Sequence, residues 1–121
     1  MYINYNPNPC GKLVGDCVIR GISKLLNQSW RDTYLELFSY AYELCDLPSS
    51  NAVWSSYLTD LKDYTQKNIS VMTVKEFCEN HKDGTYLLAT GSHVVAVKNG
   101  NYYDAWDSGN ELITFYFFKE E

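Results

Sequence analysis

The sequence predicts an α+β fold, with helices in the first two-thirds of the chain and an antiparallel sheet at the end. Three observations carry this reading. Residues 17 to 81 place apolar side chains at helical spacing, with capping residues ahead of several runs. Residues 85 to 118 hold four short runs rich in β-branched and aromatic residues. Asn99-Gly100 lies between two of those runs, and both residue types accept the positive φ that a two-residue hairpin turn demands. Helices followed by strands, rather than alternating with them, make an α+β pattern.

The elements follow in order. Residues 4–12, with Pro7, Pro9 and Gly11 among asparagines, read as an irregular opening loop. A first helix begins at Gly15-Asp16-Cys17, with Asp16 as N-cap, Cys17 as first helical residue and Val18, Ile19, Ile22, Leu25 and Leu26 as its apolar face. A second starts at Ser29, with Asp32 as a variant capping box, and Tyr34, Leu35, Phe38, Ala41 and Tyr42 form its stripe. A third follows from Asn51, with Trp54, Tyr57, Leu58, Leu61 and Tyr64 on one side. Thr73 with Glu76 is a capping box opening a short fourth helix that runs to about His81. Four strands complete the chain: Thr85 to Thr90, His93 to Val97, Tyr102 to Trp106 and Leu112 to Phe118. N-terminal helices are expected to pack on this four-stranded sheet.

Composition bounds the function. A chain of 121 residues, 45% of them hydrophobic, is one domain spanning 1–121, which buries roughly two-thirds of its unfolded surface. A net charge of −5 and a pI of about 4.9, with no basic run, argue against a nucleic-acid partner. No apolar stretch approaches the ~20 residues of a membrane span, and Met1-Tyr2-Ile3-Asn4-Tyr5 lacks the features of a signal peptide, so a cytoplasmic location without membrane attachment is expected. Four cysteines, Cys10, Cys17, Cys45 and Cys78, contain no C-x-x-C pair. Free thiols are the expected state, and no metal or organic cofactor is expected.

One constellation carries chemistry. Cys17 opens an apolar helix, where orphan backbone N–H groups and the helix dipole favour a thiolate. His93 opens an apolar strand, and the return strand carries Asp104. A cysteine, a base and an acid that orients the base form a nucleophilic triad. Each residue also has a plainer reading. A lone cysteine near a helix start is usually a small buried hydrophobe, and Asp16 opposes the adjacent thiolate. Asp104 alone can simply satisfy a backbone N–H. Cys10, Cys45 and Cys78 lack any comparable setting, and His81 at a helix end needs no catalytic role.

The hairpin register ranks the acids. With a two-residue loop at Asn99-Gly100, opposed positions sum to 199, so Val95 faces Asp104 and His93 is its diagonal neighbour on the same face. A four-residue loop puts His93 opposite Asp104, and a three-residue loop pairs it with Asp107. Asp104 is the first candidate and Asp107 the alternative.

With these residues in place, the sequence resembles the papain-like cysteine peptidase superfamily in a minimal bacterial or phage form, nearest to the double-glycine peptidases that process bacteriocin leaders. Asp16-Cys17 resembles the Asp-Cys of that group. Gly91-Ser92-His93-Val94-Val95-Ala96-Val97 resembles its histidine-led strand, and Asp104-Ala105-Trp106 resembles the Asn-Ser-Trp of papain. The order Cys, His, acid is also that of the superfamily. The resemblance implies a cysteine hydrolase, a peptidase or isopeptidase, that cleaves an amide bond of a peptide or protein through an acyl-enzyme. These enzymes carry an oxyanion-hole glutamine six residues before the cysteine. Here that position is Gly11, and Asn8 is the candidate in its place. The chain is also much shorter than papain. The alternative is a papain-like peptide-binding module without turnover.

Overall fold

Leu87-Leu88-Ala89 and Val94-Val95-Ala96-Val97 show no alternation of apolar and polar residues, so neither strand can turn a face to water. The structure, a computed structural model that describes residues 1–119, covers them on both sides. In chain order the elements are β1 (Tyr2–Asn4), α1 (Cys17–Leu26), α2 (Trp30–Glu43), α3 (Asn51–Ser56), β2 (Thr65–Thr73), α4 (Val74–Asn80), β3 (Thr85–Ala89), β4 (Val94–Lys98), β5 (Asn101–Asp104) and β6 (Leu112–Phe118). A π-helical turn, Tyr57–Leu61, extends α3.

The strands form one mixed sheet in the order β1-β5-β4-β3-β6-β2. Side chains of α1, α2 and α3 meet Leu87, Ala89, Val94, Ala96 and Phe117 on one face. On the other face α4 packs Val74, Phe77 and Cys78 against Leu88, Val95, Val97, Tyr102 and Ile113. Gly21 faces β3 closely: a Cβ there would lie 2.8 Å from Leu87 Cδ1, so any other residue would force that side chain to shift.

The α+β class stands, and the sheet is larger than expected. Six strands replace four, and it is not purely antiparallel, because β1 pairs in parallel with β5. β1 has only three residues and lies in the stretch taken to precede or belong to a loop. β2 is mostly polar and exposed, as an edge strand can be, so its sequence has little apolar signature.

Two helical stripes are also corrected. In α2 the buried residues are Thr33, Leu37 and Ala41, whereas Leu35 and Tyr42 are 62% and 80% exposed. Two rings of the expected stripe join a stack that starts outside it: Trp30 stacks on Tyr34 at 5.2 Å and Tyr34 on Phe38 at 4.3 Å. In the third helix Trp54, Tyr57 and Leu58 are buried, but the wider π turn carries Leu61 off the stripe and into solvent. The capping box of Thr73 and Glu76 forms in full, with both hydrogen bonds present.

The β4–β5 hairpin has the two-residue register, with Ala96 opposite Tyr103 and Lys98 opposite Asn101. Asn99 and Gly100 both have positive φ, 51° and 78°, as a type I′ turn requires. No helix among the described residues is long and apolar enough to cross a membrane.

Candidate active site

Three elements converge where β4 begins and β5 ends. α1 presents Cys17 as its first residue. The turn between β3 and β4 presents His93, whose carbonyl accepts from both the backbone N–H and the hydroxyl of Thr90, at 2.8 and 3.2 Å. β5 ends at Asp104, whose backbone is tied to the N-terminal strand: Tyr5 N–H donates to its carbonyl at 2.8 Å. The positions of His93 and Asp104 therefore rest on backbone hydrogen bonds as well as on side-chain packing.

His93 Nε2 lies 2.6 Å from Asp104 Oδ2. The Cys17 thiol and the His93 ring are near enough for each to shift the other's ionisation. Trp106 lies beside the imidazole with ring centroids 4.9 Å apart and shields it from solvent. Of the two candidate acids, Asp104 is the one bonded to His93. Asp107 accepts instead from the Tyr102 hydroxyl and from Gly109 N–H.

Asp104 is fully buried, and its carboxylate is saturated. Oδ1 accepts from Arg20 Nη2 at 3.0 Å and from Ala105 N–H at 2.8 Å; Oδ2 accepts from His93 and from Ser108 Oγ, both at 2.6 Å. An ionised carboxylate has acceptor sites for all four donors. Arg20, itself buried, donates through Nη1 to Asp16 Oδ1 at 2.6 Å, and Trp30 Nε1 donates to Asp16 Oδ2 at 2.8 Å. The result is a chain of alternating charge: Asp16, Arg20, Asp104, His93, Cys17.

This chain resolves the difficulty that Asp16 poses for a thiolate. Asp16 precedes α1 but makes no side-chain cap, because its carboxylate is taken by Arg20 and Trp30. Arg20 instead adds a positive field at the sulfur. Burial opposes ionisation of Cys17, and it is outweighed by the His93 hydrogen bond and charge, the Val94 N–H and Arg20, so the thiol sits below its ordinary value. Burial likewise disfavours the His93 cation, but the hydrogen bonds to Asp104 and Cys17 prevail and raise it to about 9. Burial raises Asp104, yet His93, Ser108 and Ala105 N–H hold it below the usual carboxylate range. Both shifts favour the thiolate–imidazolium form of the pair.

Cys17 and His93 open on a cleft of about 550 Å³ with an apolar wall that includes Val18, Ile19, Phe38, Leu47 and Trp54. Asn8 does not line it. Its Oδ1 accepts from Cys10 N–H at 2.9 Å in a local turn, and Gly11 is an exposed loop residue. Cys17 is the first residue of α1, where the first backbone N–H groups have no partner within the helix. No group of three or more His, Cys, Asp or Glu residues that could hold a metal ion occurs among the described residues.

Sequence reasoning missed Arg20, Ser108, Thr90 and Trp30. Arg20 had a signal, since Asp16 and Arg20 stand at i and i+4 and the arginine interrupts an apolar helix. Ser108, in what reads as an ordinary turn, had none. Comparison with known proteins adds nothing to the geometry: no family model matches the chain, and neither does any curated protein or solved structure.

Proposed function

We propose that this chain is a small cysteine hydrolase of papain-like design, acting on an amide bond of a peptide or protein. The observation that carries the reading is the grouping of Cys17, His93 and Asp104, with His93 Nε2 committed to Asp104 at 2.6 Å and Cys17 beside His93 on the same cleft. The Cys17 thiolate attacks the carbonyl carbon. The oxyanion that forms lies against the backbone N–H groups at the start of α1. His93 gives its proton to the leaving amine as the C–N bond breaks, which leaves an acyl-thioester on Cys17. His93 then takes a proton from water, whose oxygen attacks the thioester and releases the carboxylic acid and the thiolate. Asp104 keeps the ring oriented throughout, and Arg20 and Ser108 keep Asp104 ionised and in place.

A second reading is a peptide-binding module on the same scaffold. One observation favours it: neither Gly11 nor Asn8 supplies a side-chain donor to the oxyanion position.

The test is the rate of iodoacetamide alkylation at each cysteine from pH 5 to 9, with peptide mapping, in wild type and His93→Ala. Cys17 is expected to react as a thiolate well below the ordinary thiol pKa of ~8.5. At pH 6.5 His93→Ala should slow it roughly tenfold to a hundredfold, while Cys10 and Cys45 are unchanged. A Cys17 that titrates as an ordinary thiol in both proteins rejects the hydrolase. An activated Cys17 with no turnover of a broad fluorogenic peptide library supports the binding module instead.

A further inference from the structure

Asp16 stands where a carboxylate has two reasons not to be. It adjoins the cysteine whose thiolate it would oppose, and it is buried, 6% exposed. The usual reason for an aspartate before a helix is missing as well, since it makes no side-chain cap to α1. Its oxygens are instead fixed by two donors: Arg20 Nη1 at 2.6 Å from Oδ1 and Trp30 Nε1 at 2.8 Å from Oδ2. A buried charge is costly unless paired, and the pairing here is with Arg20.

Arg20 poses a difficulty of its own. Its other terminal nitrogen, Nη2, donates to Asp104 Oδ1 at 3.0 Å, while His93 Nε2 lies 2.6 Å from Oδ2 of the same carboxylate. Two cationic groups therefore draw on one anion. A guanidinium turned wholly to Asp104 would take both oxygens in the bidentate geometry that arginine favours, and its charge would cancel the field that holds the His93 proton. Asp16 prevents both outcomes. It takes one arm of the guanidinium, so that the fork lies between two acids rather than across one, and it balances the arginine charge. Asp104 is left to His93, with Ser108 Oγ and Ala105 N–H on its remaining acceptor sites. Trp30, the first residue of α2, anchors Asp16 from a second helix.

We propose that Asp16 is a positioning residue, which acts on His93 through Arg20 and Asp104 by holding the guanidinium off the second carboxylate oxygen, with Trp30 as its anchor. This goes beyond the hydrolase reading and rests on it for the use made of His93. The hold on the ring proton can be tested without turnover.

The experiment follows the ring Cε1–H signals of His81 and His93 by NMR from pH 5 to 10, with iodoacetamide alkylation of Cys17 at pH 6.5 on the same samples. The proteins are wild type, Asp16→Asn, Trp30→Phe, Arg20→Met and the double variant of Asp16→Asn with Arg20→Met. His81, engaged by the Phe77 carbonyl on the other face of the sheet, is the internal control. In wild type the His93 midpoint is expected at about 9. Asp16→Asn should lower it by about one pH unit and slow Cys17 roughly tenfold. Trp30→Phe removes a donor and no charge, so it should move both in the same direction by less. Asp16→Asn should have no further effect in the Arg20→Met background.

A direct electrostatic action of Asp16 gives the opposite result at the sulfur, because removing an adjacent anion favours the thiolate. Faster alkylation of Cys17 in Asp16→Asn, an unmoved His93 midpoint, or an effect that persists in full in the Arg20→Met background overturns the proposal. Thermal midpoints establish that each variant is folded, and if Arg20→Met is not, the direction of the Cys17 and His93 changes in Asp16→Asn and Trp30→Phe decides. Failure of the hydrolase reading shows separately, as an ordinary thiol profile at Cys17 in wild type, and leaves the His93 comparison standing.

Discussion

Cys17 and Cys78 lie on opposite faces of one sheet, each with a histidine close by in its own part of the fold, and their settings diverge completely. Cys78 and His81 share α4 and its C-terminal cap. His81 stacks on Phe77 at 3.8 Å, and its Nδ1 is engaged by the Phe77 carbonyl, so the ring is spent within its own turn. Burial raises the Cys78 thiol, against weaker opposing fields from the N-terminal amine and Lys82. Cys17 has nothing useful from its own helix beyond the N-terminus, and its partners arrive from the β3–β4 turn and the end of β5. The two settings differ in whether a group from another element holds the histidine. Asp104 does so on one face, and no carboxylate contacts His81 among the hydrogen bonds described on the other.

That contrast can be broken at its most costly point first. Arg20→Met removes the cation shared by Asp16 and Asp104, both under a tenth exposed, and leaves two carboxylates buried without it. The expected loss is about 3–5 kcal/mol by urea denaturation, the usual cost of breaking a buried ionic network by deleting one partner. A loss under ~1 kcal/mol would mean that the network is not ionic as described.

A second test uses pH. His93 is raised from 6.5 to about 9, so its contribution to stability is complete below 6.5 and is lost as pH rises through about 9. Cys17 is lowered, so its contribution is complete above the unfolded thiol value of ~8.5 and is lost as pH falls through the folded value. Over the shared window the two slopes have opposite sign and offset each other in wild type. Cys17→Ala removes one slope, while Asp104 still holds His93 up. Its stability relative to wild type should therefore fall from pH 6.5 to 9, read as urea midpoints. Parallel profiles would show that the two groups are not titrating as a pair.

The smallest effect belongs to the other face. Cys78→Ala should cost about 1 kcal/mol, as expected for a small buried hydrophobe, and should leave the alkylation profile of Cys17 unmoved. A slower Cys17 in that variant would mean that the two faces are coupled through the sheet.

Much of the fold was legible because its signals are local. The Thr73 and Glu76 capping box, the Asn99-Gly100 turn and the apolar runs at 85–89 and 94–97 each act over a few residues. The errors lie where a local pattern had two solutions. The apolar residues of α2 fit two overlapping stripes, and only packing chose Thr33, Leu37 and Ala41 over the stack of Trp30, Tyr34 and Phe38. β1 and β2 are edge strands whose stability comes from their partners, so their own residues say little.

The sequence by itself determined the class of fold, the start of α1 at Cys17, the hairpin turn and, through its register, the preference for Asp104 over Asp107. These follow from backbone hydrogen bonding, side-chain period and turn geometry, all of short range. Only the tertiary structure decided that Asp16 gives its carboxylate to Arg20 and Trp30, that Arg20 joins two acids from different elements and that Ser108 completes the Asp104 carboxylate. Those outcomes depend on desolvation and on donors brought together from distant parts of the chain, and electrostatics at buried sites is set by such neighbours rather than by residue type.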